Sequence, residues 1–192
     1  ISIARRFEVP SPDHWLGTDQ LGRDMLSLIM SGTLTSFTVG ASAIIIGAGI
    51  GVPLGLAAAI YGGPVEWLML RFSDLAFAFP SIIIAILIAT LMGPGATNAV
   101  IAIGIFNIPV FARVARGGAM SIATLDYVAA GRLAGLNNAQ IAWRHLLPNI
   151  MSLLIVQGTI QMSLGILGEA GLSYIGLGTQ RPATSLGLML RD

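Results

Sequence analysis

The sequence predicts an all-α membrane protein built as a bundle of spanning helices, and three observations carry that prediction. Of its 192 residues, 55% are hydrophobic and 10% charged, with mean hydropathy +0.83, whereas a soluble domain carries about 25% charged residues. Uncharged runs long enough to cross a bilayer, which takes about 20 residues, alternate with short polar interruptions. One later stretch, Asp126 to Asn149, gathers Asp126, Arg132, Asn137, Asn138, Gln140, Arg144 and His145, a set too costly to hold together in hydrocarbon. That stretch is therefore a structured loop on one face of a membrane.

Composition also excludes several classes. A net charge of +1 gives no reason to expect a nucleic-acid partner. All ten basic residues are Arg, so the Lys that grips phosphate in a P-loop is missing. Without Cys there is no disulfide, thiolate metal site or Cys nucleophile. No cofactor and no metal site is expected. The first residue is Ile1, with no signal-peptide pattern near it, and both ends read as cut.

Residues 1–34 are the most polar part and read as a loop followed by a short amphipathic helix, with Met25, Leu28 and Ile29 on one face. Asp19 is expected to cap a helix running on from Gln20, and His14, Asp19 and Asp24 read as a solvated, capped loop, since their spacing fits no metal template. The first span is placed at about 35–60, containing Pro53 and a stripe of Gly47, Gly51 and Gly55 on one face. Such small-xxx-small faces allow close helix packing, and core packing is the preferred reading.

Tyr61-Gly62-Gly63-Pro64 is a turn. The second span, about 66–92, begins with Glu66, Arg71 and Asp74, the last two spaced to pair along one helix. Pro80, in Ala78-Phe79-Pro80, breaks or bends it, and Gly93-Pro94-Gly95 ends it. The third, about 97–112, holds Asn107 beside Pro109, either lining a path or satisfying freed backbone groups. The fourth, about 146–167, carries Gln157 and Gln161 on one face, as path-lining residues or, preferably, as bonds between helices. Residues 169–181 then read as a Gly-rich loop.

Within the polar stretch, Thr124 or Asp126 offers a cap for a first helix, Ala129 and Ala130 favour it, and Gly131 does not. Gly135 and the following Asn residues predict a break, with a second helix starting near Asn138, that Asn serving as its cap, and Pro148 at the entry to the next span. Two short helices with small residues on the first suit the docking of another protein. They suit an amphipathic hairpin lying on lipid equally well.

This stretch resembles the EAA loop of permease subunits of bacterial ABC importers: Glu-Ala-Ala, three residues, Gly, nine residues, Ile, one residue, Leu-Pro. Ala129-Ala130-Gly131 stands in the Glu-Ala-Ala place, Gly135 in that of the glycine, His145 in that of the Ile, and Leu147-Pro148 in that of the Leu-Pro. The run Arg144 to Asn149 is similar to the RHILPN of the oligopeptide, dipeptide and nickel branch. Three departures stand out: Ala129 for Glu, Gly131 for the second Ala, and His145 for Ile. The first removes a carboxylate that the family uses at its ATPase interface, and Asp126, one turn earlier, is the substitute at hand. Three further segments resemble the same branch. Residues 16–26 are similar to HPLGTDxxGRDxL, Ala78-Phe79-Pro80 matches its AFP, and 169–178 are similar to EASLSFLGLG, with 185–190 like the start of its last span.

The resemblance implies a multi-span ABC importer permease helical bundle, lacking the first and last of six spans, with a cytoplasmic docking loop at 117–145 inside a transmembrane domain at 35–192. It implies a multi-pass protein of the bacterial cytoplasmic (inner) membrane. Its partners would be a second homologous permease, two ATP-binding subunits and an extracytoplasmic solute-binding protein, with ATP hydrolysis on separate subunits. The cargo class would be peptides or a related small solute such as nickel or glutathione. Arg113, Arg116, Arg132 and Arg144 put the loop in the cytoplasm by the positive-inside rule, which leaves residues 1–34 outside. The alternatives are a stand-alone channel or secondary transporter, for which only Asp74 offers an internal ionisable ligand, and a membrane enzyme, for which no HExxH or GxSxG occurs.

Overall fold

The computed structural model describes residues 5–191, and among these the chain is almost wholly helical, with no strands. The helices are α1 (Met25–Tyr61), α2 (Gly63–Phe77), α3 (Ser81–Met92), α4 (Ala96–Ala123), α5 (Asp126–Leu133), α6 (Asn138–Ile141), α7 (Leu147–Tyr174) and α8 (Leu186–Arg191). A π-helical turn, Ala142–Leu146, joins α6 to α7. Among the described residues three segments are long and apolar enough to cross a membrane, and α2 with α3 makes a fourth if the bent pair is one span.

At 1.5 Å per residue, the 37 residues of α1 extend about 55 Å, well beyond the roughly 30 Å hydrocarbon layer. Its first turns occupy the place of the short helix expected before residue 35, but they run without a break into the span instead of forming an element of their own. Asp24, not Asp19, caps it, accepting hydrogen bonds from the N–H (2.8 Å) and hydroxyl (2.6 Å) of Ser27. Asp19 instead closes the preceding turn, accepting from the N–H groups of Leu21 and Arg23 (both 2.8 Å) and from the Arg23 Nε (2.7 Å). His14 Nδ1 lies 3.2 Å from Asp24 Oδ1.

This polar knot is acid-sensitive. Burial is the largest influence on the Asp19 carboxyl and pushes it up, yet the N–H of Arg23, its guanidinium and the N–H of Leu21 together hold it below the usual carboxylate range. The Ser27 hydroxyl and N–H hold Asp24 low as well. A depressed carboxyl stabilises above its unfolded value and loses that contribution as pH falls through the folded one. Trp15, whose Nε1 donates to the Pro12 carbonyl (3.1 Å), reports it. With Trp67 and Trp143 replaced by Phe, its emission holds steady at neutral pH and shifts once pH falls below about 4.

The bundle centres on α1 against α4. Gly47, Gly51 and Gly55 are the contact, buried beneath Asn107, the Ile108–Ala112 backbone and Ala115. Pro80 separates α2 from α3, and the two helices meet at 88°. Helix α3 rests on α4 through alanines, Ala85 and Ala89 against Ala99 and Ala102, while the outward faces show Ile45, Leu87, Leu91 and Leu167 as a lipid-facing surface does. The Arg71–Asp74 pairing expected from spacing is replaced by two ion pairs between helices, Asp74 to Arg113 and Glu66 to Arg116. They form because α2 packs against α4, which brings carboxylates of one helix onto guanidinium groups of the other.

Two boundaries move. Helix α4 continues to Ala123, well past the expected 112. Residues 169–174 are the last turns of α7, so Glu169 sits in a helix and is fully buried rather than in a loop.

Candidate functional site

The polar stretch folds as two short helices around Gly135. Helix α5 begins at Asp126, but its cap position is Leu125, with no side-chain cap bond; neither Thr124 nor Asp126 fills that role. Asp126 stands one residue inside, where its charge faces the positive end of the helix dipole. Gly135 takes φ +87°, the left-handed conformation that a side chain strains. The second helix is capped by Asn137, one residue before the expected Asn138. Its Oδ1 accepts from the Gln140 N–H (2.8 Å) while the Gln140 side chain accepts from the Asn137 N–H (2.9 Å), a complete capping box.

The π turn that follows has a covalent cause. Pro148 cannot donate to the carbonyl four residues back, so the Leu147 N–H reaches Ala142 instead, one residue further than in an α-helix. Asn149 Nδ2 donates to the His145 carbonyl at 2.6 Å.

The stretch is welded to the bundle. Val128, Ile141 and Leu146 are fully buried with Val52 and Leu56 of α1, Ala115 and Ala119 of α4, and Ile150 of α7. Fully burying each of the three is worth about 1.5–3 kcal/mol, so the loop moves with the helices beneath it. The other face is bare: Asp126, Ala129, Ala130, Gly135 and Pro148 are exposed, as are Leu133 (90%) and Trp143 (61%). Leu147 is half-buried.

Two departures from the motif touch each other. A Cβ on Gly131 would stand 3.2 Å from His145 Nε2, so the missing methyl at one position makes room for the larger ring at the other. The His145 ring is tilted against Tyr127 at 5.9 Å between centroids, and its Nε2 is buried without a hydrogen-bond partner.

The polar residues placed within the spans divide. Asn107 and Gln161 are buried and line one cavity of about 250 Å³ between α3, α4 and α7. Gln157 is half-buried and does not line it. The expected bonds between helices are not formed, for neither Gln bridges to another helix among the described residues. Sequence reasoning missed the polar centre at the opposite end. There the fully buried Glu169 accepts from Ser36 of α1 (2.7 Å), Ser173 (2.6 Å) and Thr179 (3.0 Å). The available signal was a lone acid spaced four and ten residues from two hydroxyls in an apolar context.

Residues 51–192 match the protein family described as binding-protein-dependent transport system inner membrane component. The chain belongs to that family. It is thus an inner-membrane, multi-pass permease component of the ABC importers, in the branch that holds peptide permeases. It is 40% identical over 185 residues to the glutathione transport system permease protein GsiD of Pectobacterium atrosepticum, covering 96% of this chain and 62% of that one. To the dipeptide transport system permease protein DppC of Alkalihalophilus pseudofirmus it is 39% identical over 189 residues, covering 98% and 62%. The chain therefore spans 62% of the length of both relatives. An inward-facing structure of the MetNI methionine ABC transporter shares the fold, with TM-score 0.72 at 21% identity over 86% of this chain and 79% of that one.

Proposed function

We propose that this permease component forms part of a translocation path for peptides or a related small solute, glutathione or nickel among them. On this reading residues 117–145 are a cytoplasmic docking loop through which ATPase subunits drive it. A second, similar permease completes the path, two ATP-binding subunits hydrolyse ATP below, and an extracytoplasmic solute-binding protein delivers cargo above. Residues 35–192 are the transmembrane part, and 1–34 lie on the outer side.

The observation that carries this reading is the two-faced loop: one side buried in the bundle core at Val128, Ile141 and Leu146, the other uncovered at Ala129, Ala130, Leu133 and Trp143. A lipid-lying hairpin needs an apolar face free to enter the headgroups, and here the face that carries Val128, Ile141 and Leu146 is buried against α1, α4 and α7. Four arginines, Arg113, Arg116, Arg132 and Arg144, support the cytoplasmic orientation. Coupling follows from rigidity, because a push on the exposed face reaches α4 and α7 without a flexible joint between.

Gly135→Trp is the test. No atom lies within 4 Å of a Cβ there, so the indole projects outward, where a docked subunit would meet it; because φ is +87°, Gly135→Ala is the control that carries the backbone strain without the bulk and should keep most of the uptake. The expected result in the complete transporter is normal membrane insertion with ATP-driven uptake reduced at least about tenfold, equivalent to about 1.4 kcal/mol of docking energy. Undiminished uptake overturns the docking role.

A further inference from the structure

We propose that the exposed face of α2 binds an anionic phospholipid, with the Arg71 guanidinium holding the headgroup phosphate in the leaflet on the side of residues 126–149. Nothing in this site depends on what the permease carries.

Depth comes first. Residues 96–112 of α4 carry no charge, and at 1.5 Å each they cover about 26 Å, most of a hydrocarbon layer. Arg113 and Arg116 follow at once, so they stand where hydrocarbon gives way to headgroups. Asp74 pairs with Arg113 and Glu66 with Arg116, which holds α2 at that same level. Trp67 of α2, 66% exposed, is a residue type that gathers at membrane interfaces.

The placing of the charge is the deciding feature. Trp67, Arg71 and Leu75 follow at four-residue steps and form one row along the helix, with Leu68 and Phe72 as the next row. All five are exposed, and with Asp74 they line a shallow groove of about 490 Å³. Arg71 thus sits in the middle of an apolar face, and it forms no hydrogen bond or ion pair among the described residues. Asp74, at the edge of the groove, is held by Arg113 of α4 instead. A guanidinium ringed by Trp, Leu and Phe at headgroup depth is complementary to an anionic lipid. Its fork of N–H donors matches phosphate oxygens, and the side chains around it match acyl chains.

The same face suits a neighbouring helix poorly. Helices in lipid approach one another through small residues, as Gly47, Gly51 and Gly55 do toward α4. Between Val65 and Leu75 no exposed position carries Gly, Ala, Ser or Thr, so a second permease would find no close contact there.

The experiment places the complete transporter, with any cysteine in its other parts replaced, in nanodiscs of phosphatidylcholine. Leu68→Cys in the groove, or Leu91→Cys on the exposed side of α3 as the comparison, carries a bimane fluorophore. Quenching is measured with phosphatidylglycerol or phosphatidylcholine bearing a nitroxide near the headgroup end of one acyl chain. The expected result at position 68 is half-quenching at an about fivefold lower mole fraction of the phosphatidylglycerol, the weight of one basic residue at an anionic surface. At position 91 the two lipids should quench alike. Arg71→Gln should remove the preference at 68, and Arg71→Glu should invert it, both leaving 91 unchanged. Equal quenching at 68 with Arg71 present, or a preference that survives Arg71→Gln, overturns the site. Quenching at 91 with none at 68 from either lipid shows that protein covers this face, and overturns it as well.

Discussion

Gly51→Leu is expected to break the bundle, lowering its stability by about 3 kcal/mol or more, the upper end of the cost of overpacking. A Cβ at this position would overlap the Ile108 carbonyl oxygen and lie 2.9 Å from the Phe111 Cβ and 3.0 Å from the Ala112 N. Two of those neighbours are backbone, which cannot rotate away, so α1 must withdraw from α4. Gly55 faces the same difficulty at Ala112 and Ala115, so relaxation along the stripe is blocked as well. In lipid, where no hydrophobic force holds helices together, the loss of close packing is the loss of association itself. Gly49 is the internal control: it lies in the same helix two residues away, with no atom within 4 Å of an added Cβ. Unfolding in mixed micelles by rising SDS should find Gly49→Leu within about 0.5 kcal/mol of the original chain. Equal effects from Gly49→Leu and Gly51→Leu would show that helix propensity, not the α1–α4 contact, governs.

Glu169→Leu is the second large effect. Its carboxyl is the common acceptor for Ser36, Ser173 and Thr179. The network continues outward, since the Ser173 hydroxyl oxygen accepts from the Thr179 N–H (2.9 Å) and that of Ser36 from the Leu186 N–H (3.3 Å). One side chain thus fastens α1, α7, the 175–185 segment and the start of α8. Leucine has similar bulk but leaves three buried hydroxyls short of an acceptor, at about 1 kcal/mol or more each. Glutamine keeps one acceptor oxygen and should lose roughly a third to a half of that. The effect is read at Thr184, which is 6% exposed. A Thr184→Cys thiol should react slowly with maleimide in the original background, faster with Glu169→Gln and fastest with Glu169→Leu. Uniformly slow labelling would mean that the segment is held by other contacts.

The sequence displayed what depends on local rules. Span positions follow from runs without charge, the break at Gly135 from glycine's access to positive φ, the stripe at 47, 51 and 55 from helical periodicity, and the discontinuity at Pro80 from its missing N–H. It hid what depends on which helices meet. Asp74 finds Arg113, 39 residues away, instead of Arg71 at three, because helix adjacency, not spacing, decides between candidate partners. Glu169 looked like a loop acid, since nothing local to it announces that Ser36, 133 residues earlier, closes over it. The cap of α5 was misplaced for a smaller reason: Val128 is anchored in the core, which fixes the phase of the helix and leaves Leu125 at the cap position.

The contact between Gly131 and His145 makes two distant letters of the chain a single inherited character. A chimaera that imports residues 126–135 from a relative with alanine at 131, while keeping the imidazole opposite, joins two halves cut for different partners. Exchange of this loop between members of the branch therefore has to carry both positions together, and the unit of substitution is the whole elbow from α5 into α7.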